Sequence, residues 1–344
     1  MRRVIQFIIA VSLFCFAFWG VTYTADWAGY EMYFDNGMDI KEDIGSIFLF
    51  TVLKDYGFDD YRVAFRVHIF LMGLFFPLLY IKLGLNPIPY TVLLVVFTYV
   101  PLANQIRYYV AFPAAILSLI YYTEKRYLIS IAFVLLAFAF HRTTLILAIL
   151  LLFYDIYTGR HYSYSRHNKY VSYGLLAGFV FLLVLYPRLG SRLGDYSSYT
   201  NESQVSSVLG GLYNLIPCLL GVGTVLFYNR LVNRYHTTII SYNCLRYRQL
   251  ILLSVATCIL IPISLRMQIL NSRMVLPFFT IWIAFLVYIQ RTGKRLNKNV
   301  STSGVVFFLI AVMILHQTIL PYLLGLSEVP ISMELLLTLS SYHF

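Results

Sequence analysis

Charge is scarce in this sequence. Only 12% of its 344 residues are Asp, Glu, Lys or Arg, and 60% are hydrophobic, where a soluble domain carries about a quarter charged residues. The deficit excludes an ordinary water-soluble globule, and a mean hydropathy of +0.74 assigns the surplus apolar surface to lipid. Two-residue alternation is missing as well. The apolar runs are continuous, which excludes an outer-membrane-type barrel. Cysteine is sparse: Cys15, Cys218 and Cys258 fall in apolar runs and Cys244 in a loop that reads as cytoplasmic. No pair suits an external disulfide and no spacing suits a metal. There is no P-loop, no HExxH, no GxSxG and no Asp-x-Asp pair, so no metal and no cofactor is expected. No internal repeat is visible, which argues against the inverted-repeat transporters. The net charge of +11 is spread through short loops, as the positive-inside rule requires, and does not form a nucleic-acid patch.

What is present is a series of apolar segments near the roughly 20 residues needed to cross a bilayer. Membrane helices are expected at 4–23, 63–83, 88–103, 108–122, 127–140, 143–157, 170–187, 212–228, 249–265, 274–290 and 300–322. The fold class is therefore an all-α polytopic membrane protein of about 11 transmembrane helices, with residues 1–344 forming one integral-membrane domain. No small-residue cleavage site follows Met1-Arg2-Arg3 and its apolar run, so the first helix reads as uncleaved. With the N-terminus in the cytoplasm, most of the 26 Lys and Arg residues fall in inside loops, among them Lys125-Arg126 and the 229–248 segment. The acids go the other way, leaving only Glu124 and Asp155 near the inside. The pair 127–140 and 143–157 reads as two short helices meeting at His141-Arg142, with one long tilted helix as the alternative. Charged residues at such a junction are tolerated where they are buried in protein or line a wet cavity.

Two outer loops are substantial. Residues 24–62 form an acidic extracytoplasmic loop. Its apolar stretch IGSIFLFTVL, from Ile44 to Leu53, is too short to span and reads as an interfacial or re-entrant helix. Residues 188–211 form a second loop, rich in Gly, Ser and Tyr.

The candidate chemistry lies on this outer side. Arg107 follows Asn104-Gln105 and opens a helix, where its guanidinium adds to the positive end of the dipole and both attract phosphate. An arginine snorkelling to headgroups would occupy the same place. His141 adjoins Arg142 at the helix junction, and imidazole can take a proton from a hydroxyl near neutral pH. Arg266 and Arg273 bracket a short outer loop and are candidate anion ligands. Arg188 and Arg192, beside Asp195, Tyr196 and Tyr199, are placed to close over a ligand. In the acidic loop, Asp26, Asp39, Glu42 and Asp43 are candidates for a catalytic carboxylate or for binding sugar hydroxyls, though most acids in such a loop are simply solvated.

Four short motifs, in order and on one predicted side, resemble the EpsG/Wzy-type polysaccharide polymerases. They are an outer loop with Asp26, Tyr30 and Glu42 ahead of Gly45; Gln105-Ile106-Arg107 followed by Ala111; Ala137 to His141, then a small polar residue; and Asn271-Ser272-Arg273 before an apolar helix. The resemblance spans roughly residues 20 to 290. Two positions depart from it. Tyr108 stands where the family often has Gln, and Arg142 where it commonly has a small residue.

The resemblance implies a GT-C-like fold and a bacterial inner-membrane polymerase that joins undecaprenyl pyrophosphate-linked oligosaccharide repeats on the extracytoplasmic face, for O-antigen, capsule or exopolysaccharide. It implies His141, or else Glu42 or Asp26, as the catalytic group. Arg107, Arg273, Arg266, Arg142, Gln105, Arg192, Tyr196 and Tyr199 would bind pyrophosphate or substrate without a metal. The implied partners are the lipid-linked oligosaccharide, membrane lipid, and a chain-length regulator and flippase of the same pathway. A flippase or transporter of the same lipid-linked sugars, and a membrane glycan ligase or acyltransferase, are the competing readings.

Overall fold

The computed structural model describes residues 2–22, 24, 26–36, 43–142, 144, 219–224, 226–227, 249–250, 253, 276–295 and 301–319. Their regular structure is all helical, joined by short turns, with no strand among the described residues. The chain divides into two compact units, Met1–Phe153 with Gln317–Phe344, and Tyr154–His316.

The first unit contains α1 (Arg2–Phe18), α2 (Trp27–Asn36), α3 (Ile44–Asp55), α4 (Tyr61–Lys82), α5 (Pro87–Asn104), α6 (Ile106–Thr123) and α7 (Tyr127–Phe140). Its centre is α6, buried almost from end to end. Helix α4 packs on α1, α5 and α6, while α7 packs on α6. Helix α1 shows why a sequence this apolar still has an inside and an outside. Ala10, Phe14, Ala17 and Phe18 recur at helical spacing and are buried, whereas Val4, Ile5, Ile8, Leu13 and Phe16 are exposed. The exposed stripe is as apolar as the buried one, the pattern of a helix whose outer solvent is hydrocarbon.

Helix ends are set by local chemistry. Asn86 caps α5 through Ile88 N–H at 3.3 Å, with Pro87 at the first helical position, where no donor is lost. Asp60 caps α4 through Arg62 N–H at 2.8 Å. Helix α4 stops at Gly84, whose φ of +79° lets Leu85 N–H reach back to the Tyr80 carbonyl at 2.9 Å, closing the orphan carbonyls of the last turn. At that same end Lys82 pairs with Glu124 after α6 at 3.7 Å and lies over the Tyr121 ring. The turn Glu124–Arg126 then reverses the chain, so α7 runs antiparallel to α6, and Ser130 Oγ donates to the Ser118 carbonyl at 2.8 Å. This returns the end of α7 to the start of α6.

In the second unit, Phe279–Arg295 is α8 and Ser303–Ile314 is α9, preceded by a short 3-10 turn, Leu276–Phe278. Thr302 Oγ1 lies 3.0 Å from the Leu286 carbonyl oxygen and 3.0 Å from Gln290 Oε1, and Gln290 Nε2 donates to Ser303 Oγ at 2.7 Å.

The expected spans at 63–83, 88–103, 108–122 and 127–140 coincide with α4 to α7 within a few residues, because each apolar run ends at a polar or turn residue. The first helix ends earlier than expected, at Phe18. Helix α5 is broken inside, where Thr98 leaves helical geometry at φ −129°, ψ 22°. The expected loop 24–62 holds two helices, α2 and α3, instead of one short segment. Among the described residues, Tyr61–Lys82 alone has both the length and the apolarity to cross a membrane unaided; Tyr127–Phe140 and Ser303–Ile314 are among the shorter apolar helices. The expected spans at 143–157 and 170–187 and the loop 188–211 lie outside the described residues, Thr144 excepted.

Candidate active site

Helix α7 ends at Phe140, and His141 takes an extended conformation, φ −160° and ψ 109°. The break is stabilised locally. Thr144 Oγ1 sits 2.9 Å from the Ala137 carbonyl and 2.6 Å from that of His141, adding to the backbone bonds these carbonyls accept from the His141 and Thr144 N–H groups. The junction expected at His141-Arg142 is therefore a real helix end.

Its partner is Asp43. The Asp43 carboxylate stands at the N-cap of α3 but makes no capping bond to its own helix. Its Oδ2 instead accepts from His141 Nδ1 at 3.0 Å and from Arg107 Nη1 at 3.1 Å. Its Oδ1 accepts from the Arg142 backbone N–H at 3.2 Å. The ion pair is sheltered, with the Arg107 side chain 14% exposed and that of Asp43 5% exposed. Burial pushes the Asp43 carboxyl upward. The hydrogen bond from His141, its positive charge whenever the ring is protonated, the Arg107 charge and the Arg142 N–H pull it down, and the pull prevails, so it stays below its ordinary value. Three donors on one buried carboxylate meet the condition for keeping a charge out of water.

Arg107 lies in the first turn of α6, where the helix dipole already favours anions. Its guanidinium carbon lies 5.0 Å from the centroid of the Tyr30 ring of α2. Gln105, at the hinge between α5 and α6, buries an Oε1 that has no hydrogen-bond partner among the described residues. An acceptor in that state wants a hydroxyl or amide donor. Tyr108, the residue that departs from the family pattern, places its ring edge-on to His141, centroids 5.5 Å apart at 89°.

The imidazole geometry has a chemical consequence. Because Nδ1 faces a carboxylate it carries the proton, and Nε2 of the neutral ring holds the lone pair. A carboxylate behind Nδ1 also stabilises the imidazolium that forms if Nε2 takes a proton. The cluster thus combines a base of fixed tautomer with a cation at a helix N-terminus.

Of the residues expected from sequence, Arg107, His141 and the Arg142 backbone converge on Asp43. Asp26 is exposed just before α2, the helix whose Tyr30 lies against Arg107. Glu42, Arg192, Tyr196, Tyr199, Arg266 and Arg273 lie outside the described residues. Asp43 was one acid among several in its loop, and the resemblance favoured Asp26 and Glu42. Its distinguishing signal is position, directly ahead of IGSIFLFTVL, where an N-cap residue belongs.

A helical chain with one helix of span length and apolarity among the described residues and a buried Asp–Arg–His cluster at one end of its bundle defines the class: an apolar helical protein with a buried charged cluster. The EpsG family model matches residues 5–324, and the chain belongs to the EpsG family. That family points to membrane proteins of polysaccharide biosynthesis. No curated protein and no solved structure matches the chain.

Proposed function

We propose that the chain is a polymerase that joins undecaprenyl pyrophosphate-linked oligosaccharide repeats into a surface polysaccharide. A hydroxyl on the terminal sugar of one repeat attacks the anomeric carbon of the sugar anchoring the growing chain. The new glycosidic C–O bond forms as the bond to pyrophosphate breaks, and undecaprenyl pyrophosphate departs with the electron pair. His141 Nε2 accepts the hydroxyl proton, Asp43 holds the ring and balances the imidazolium, and Arg107 steadies the charge growing on the leaving group. Arg273, Arg266, Arg142, Arg192, Tyr196 and Tyr199 supply further substrate contacts, and Gln105 accepts from a sugar hydroxyl. The chemistry needs no metal and sits on the extracytoplasmic face of a multi-pass GT-C-like fold.

The observation that carries this reading is the shared Asp43 carboxylate, which fixes a histidine tautomer and a helix-terminal arginine in one place. Deleting the gene and resolving the surface glycan by size tests it. Loss of long chains, with single repeats retained on the lipid carrier, is the expected outcome. Loss of surface repeats of every length points to a flippase instead, and normal chain length overturns both. Complementation with Arg107→Ala or His141→Ala is expected to leave the defect in place, since one lost transition-state donor costs on the order of 10² to 10³ in rate.

A further inference from the structure

Behind the cluster lies a second histidine, His68, in the N-terminal half of α4 and fully buried. Its Nδ1 is 2.8 Å from the Ala64 carbonyl oxygen. A carbonyl can only accept, so Nδ1 donates and Nε2 of the neutral ring is an acceptor. Ser46 Oγ stands 3.3 Å from Nε2 and is the donor. Ser46 is also fully buried and belongs to the first turn of α3. That turn is closed by Ser46 N–H and Ile47 N–H on the Asp43 carbonyl, at 3.1 and 3.2 Å.

The same imidazole lies edge-on to two phenylalanines. One is Phe50 of α3, centroids 5.8 Å apart. The other is Phe140 of α7, centroids 5.9 Å apart at 90°, and Phe140 directly precedes His141. The two helices also meet each other here. A Cβ on Gly45 would lie 3.1 Å from the carbonyl carbon and oxygen of Ala139 and 3.2 Å from the Phe140 ring, so any larger residue would press the start of α3 away from the end of α7 by a few tenths of an ångström. One ring in α4 thus touches both segments that deliver the Asp43 and His141 side chains, which are 98 residues apart in sequence.

We propose that His68 is a positioning residue: through Ser46 and Phe140 it sets the register of α3 against α7, and so the meeting of Asp43 with His141. The inference rests on the reading of the Asp43 cluster as the base assembly. It differs from a core-filling role in needing the directional Ser46 bond and not only a ring of the right size.

The test uses the full-length protein in proteoliposomes, with lipid-linked repeat units extracted from cells lacking the chain as substrate. His68→Phe keeps the ring but leaves the Ser46 hydroxyl without its acceptor. The double variant His68→Phe/Ser46→Ala removes that stranded hydroxyl, a replacement that is close to neutral for folding. His68→Gln returns an amide acceptor. The double variant is expected to melt like the wild type yet lose on the order of 10- to 100-fold in kcat with KM little changed, the cost of a small misplacement at the reacting groups. His68→Gln should recover much of that loss. Where His68→Phe does not accumulate, Ser46→Ala carries the same expectation, with Ser46→Thr as its rescue. Wild-type kcat in the double variant, or His68→Gln no better than His68→Phe, overturns the proposal. Asp43→Asn in the same assay separates the two readings. If Asp43→Asn keeps full kcat, the base assembly itself is wrong. If it is inactive while the double variant is not, only the positioning role fails.

Discussion

The α3–α6–α7 junction and the α8–α9 pair both seat polar groups in apolar surroundings, by opposite means. At the junction a full negative charge is buried and held by three donors drawn from Arg107, His141 and Arg142. Between α8 and α9 the polar groups are neutral: a threonine hydroxyl, an amide and a serine hydroxyl that bond to one another and to a carbonyl. Neutral bonds suffice to hold two helices together, each contributing about 1 kcal/mol net. A buried ion pair is weak evidence for stability, because desolvation offsets most of the attraction. On the proposed function the junction's buried charge serves chemistry, whereas the neutral bonds between α8 and α9 serve packing.

The strongest way to break that contrast is at Asp43. Asp43→Ala removes the acceptor that Arg107, His141 and the Arg142 N–H share and should destabilise the first unit by about 1–3 kcal/mol, visible as a lowered melting temperature in detergent. Asp43→Asn preserves shape but can offer its amide to Nδ1 and favour the wrong tautomer, so chain elongation should fall on the order of 10³- to 10⁴-fold. Acid distinguishes the two proteins further. The folded Asp43 carboxyl lies below its ordinary value, so its stabilising contribution is present above the ordinary carboxylate range and disappears as pH falls through the lowered folded value. The melting temperatures of wild type and Asp43→Asn should differ at neutral pH and converge on acidification. A constant gap down to low pH would mean that the ionised carboxylate contributes nothing.

How much of this was readable beforehand follows from the range of each signal. Helices α4, α6 and α7 were legible because hydrophobic run length and a polar stop are local properties, and the end of α7 at Phe140 is marked by His141-Arg142 in the chain itself. Arg107 and His141 were legible because ionisable residues beside apolar runs are costly without a purpose. Local pattern marks Asp43 only as the N-cap position ahead of IGSIFLFTVL, and its meeting with His141 was not readable, since that is a bond to a residue 98 positions away. His68 was hidden for the complementary reason. It lies inside an apolar run, and its meaning depends on Ser46 and Phe140 arriving from two other helices. Helix α2 was missed because its acids read as loop, while its buried face, Trp27, Tyr30 and Phe34, is defined by residues distant in sequence that pack against it, among them Tyr61 and Phe65 of α4 and Phe50 of α3.

A middle-sized effect belongs to the second unit. A Cβ on Gly221 would fall within the Trp282 ring of α8, and Trp282 is almost fully buried. Gly221→Ala must therefore push the indole or the helical residues 219–224 apart, an overpacking cost of about 1–3 kcal/mol. The expected readout is a lower melting temperature, with the activity per folded molecule maintained. A loss of activity at unchanged stability would tie this contact to catalysis and weaken the contrast between the regions.

The smallest effect is expected at Thr302, and it sharpens the comparison most. Its hydroxyl is buried and bridges α8 and α9, so it resembles Asp43 in connecting elements through a polar group. Thr302→Val keeps the shape and removes the donor. The Leu286 carbonyl lies inside α8 and retains its place in the helix ladder, so little is stranded, and the cost should be about 1 kcal/mol. Chain elongation should match the wild type once protein levels are equalised. An isosteric change of a polar group then costs orders of magnitude in rate at Asp43 and almost nothing in rate at Thr302, which separates a bond that holds helices from one that holds a proton.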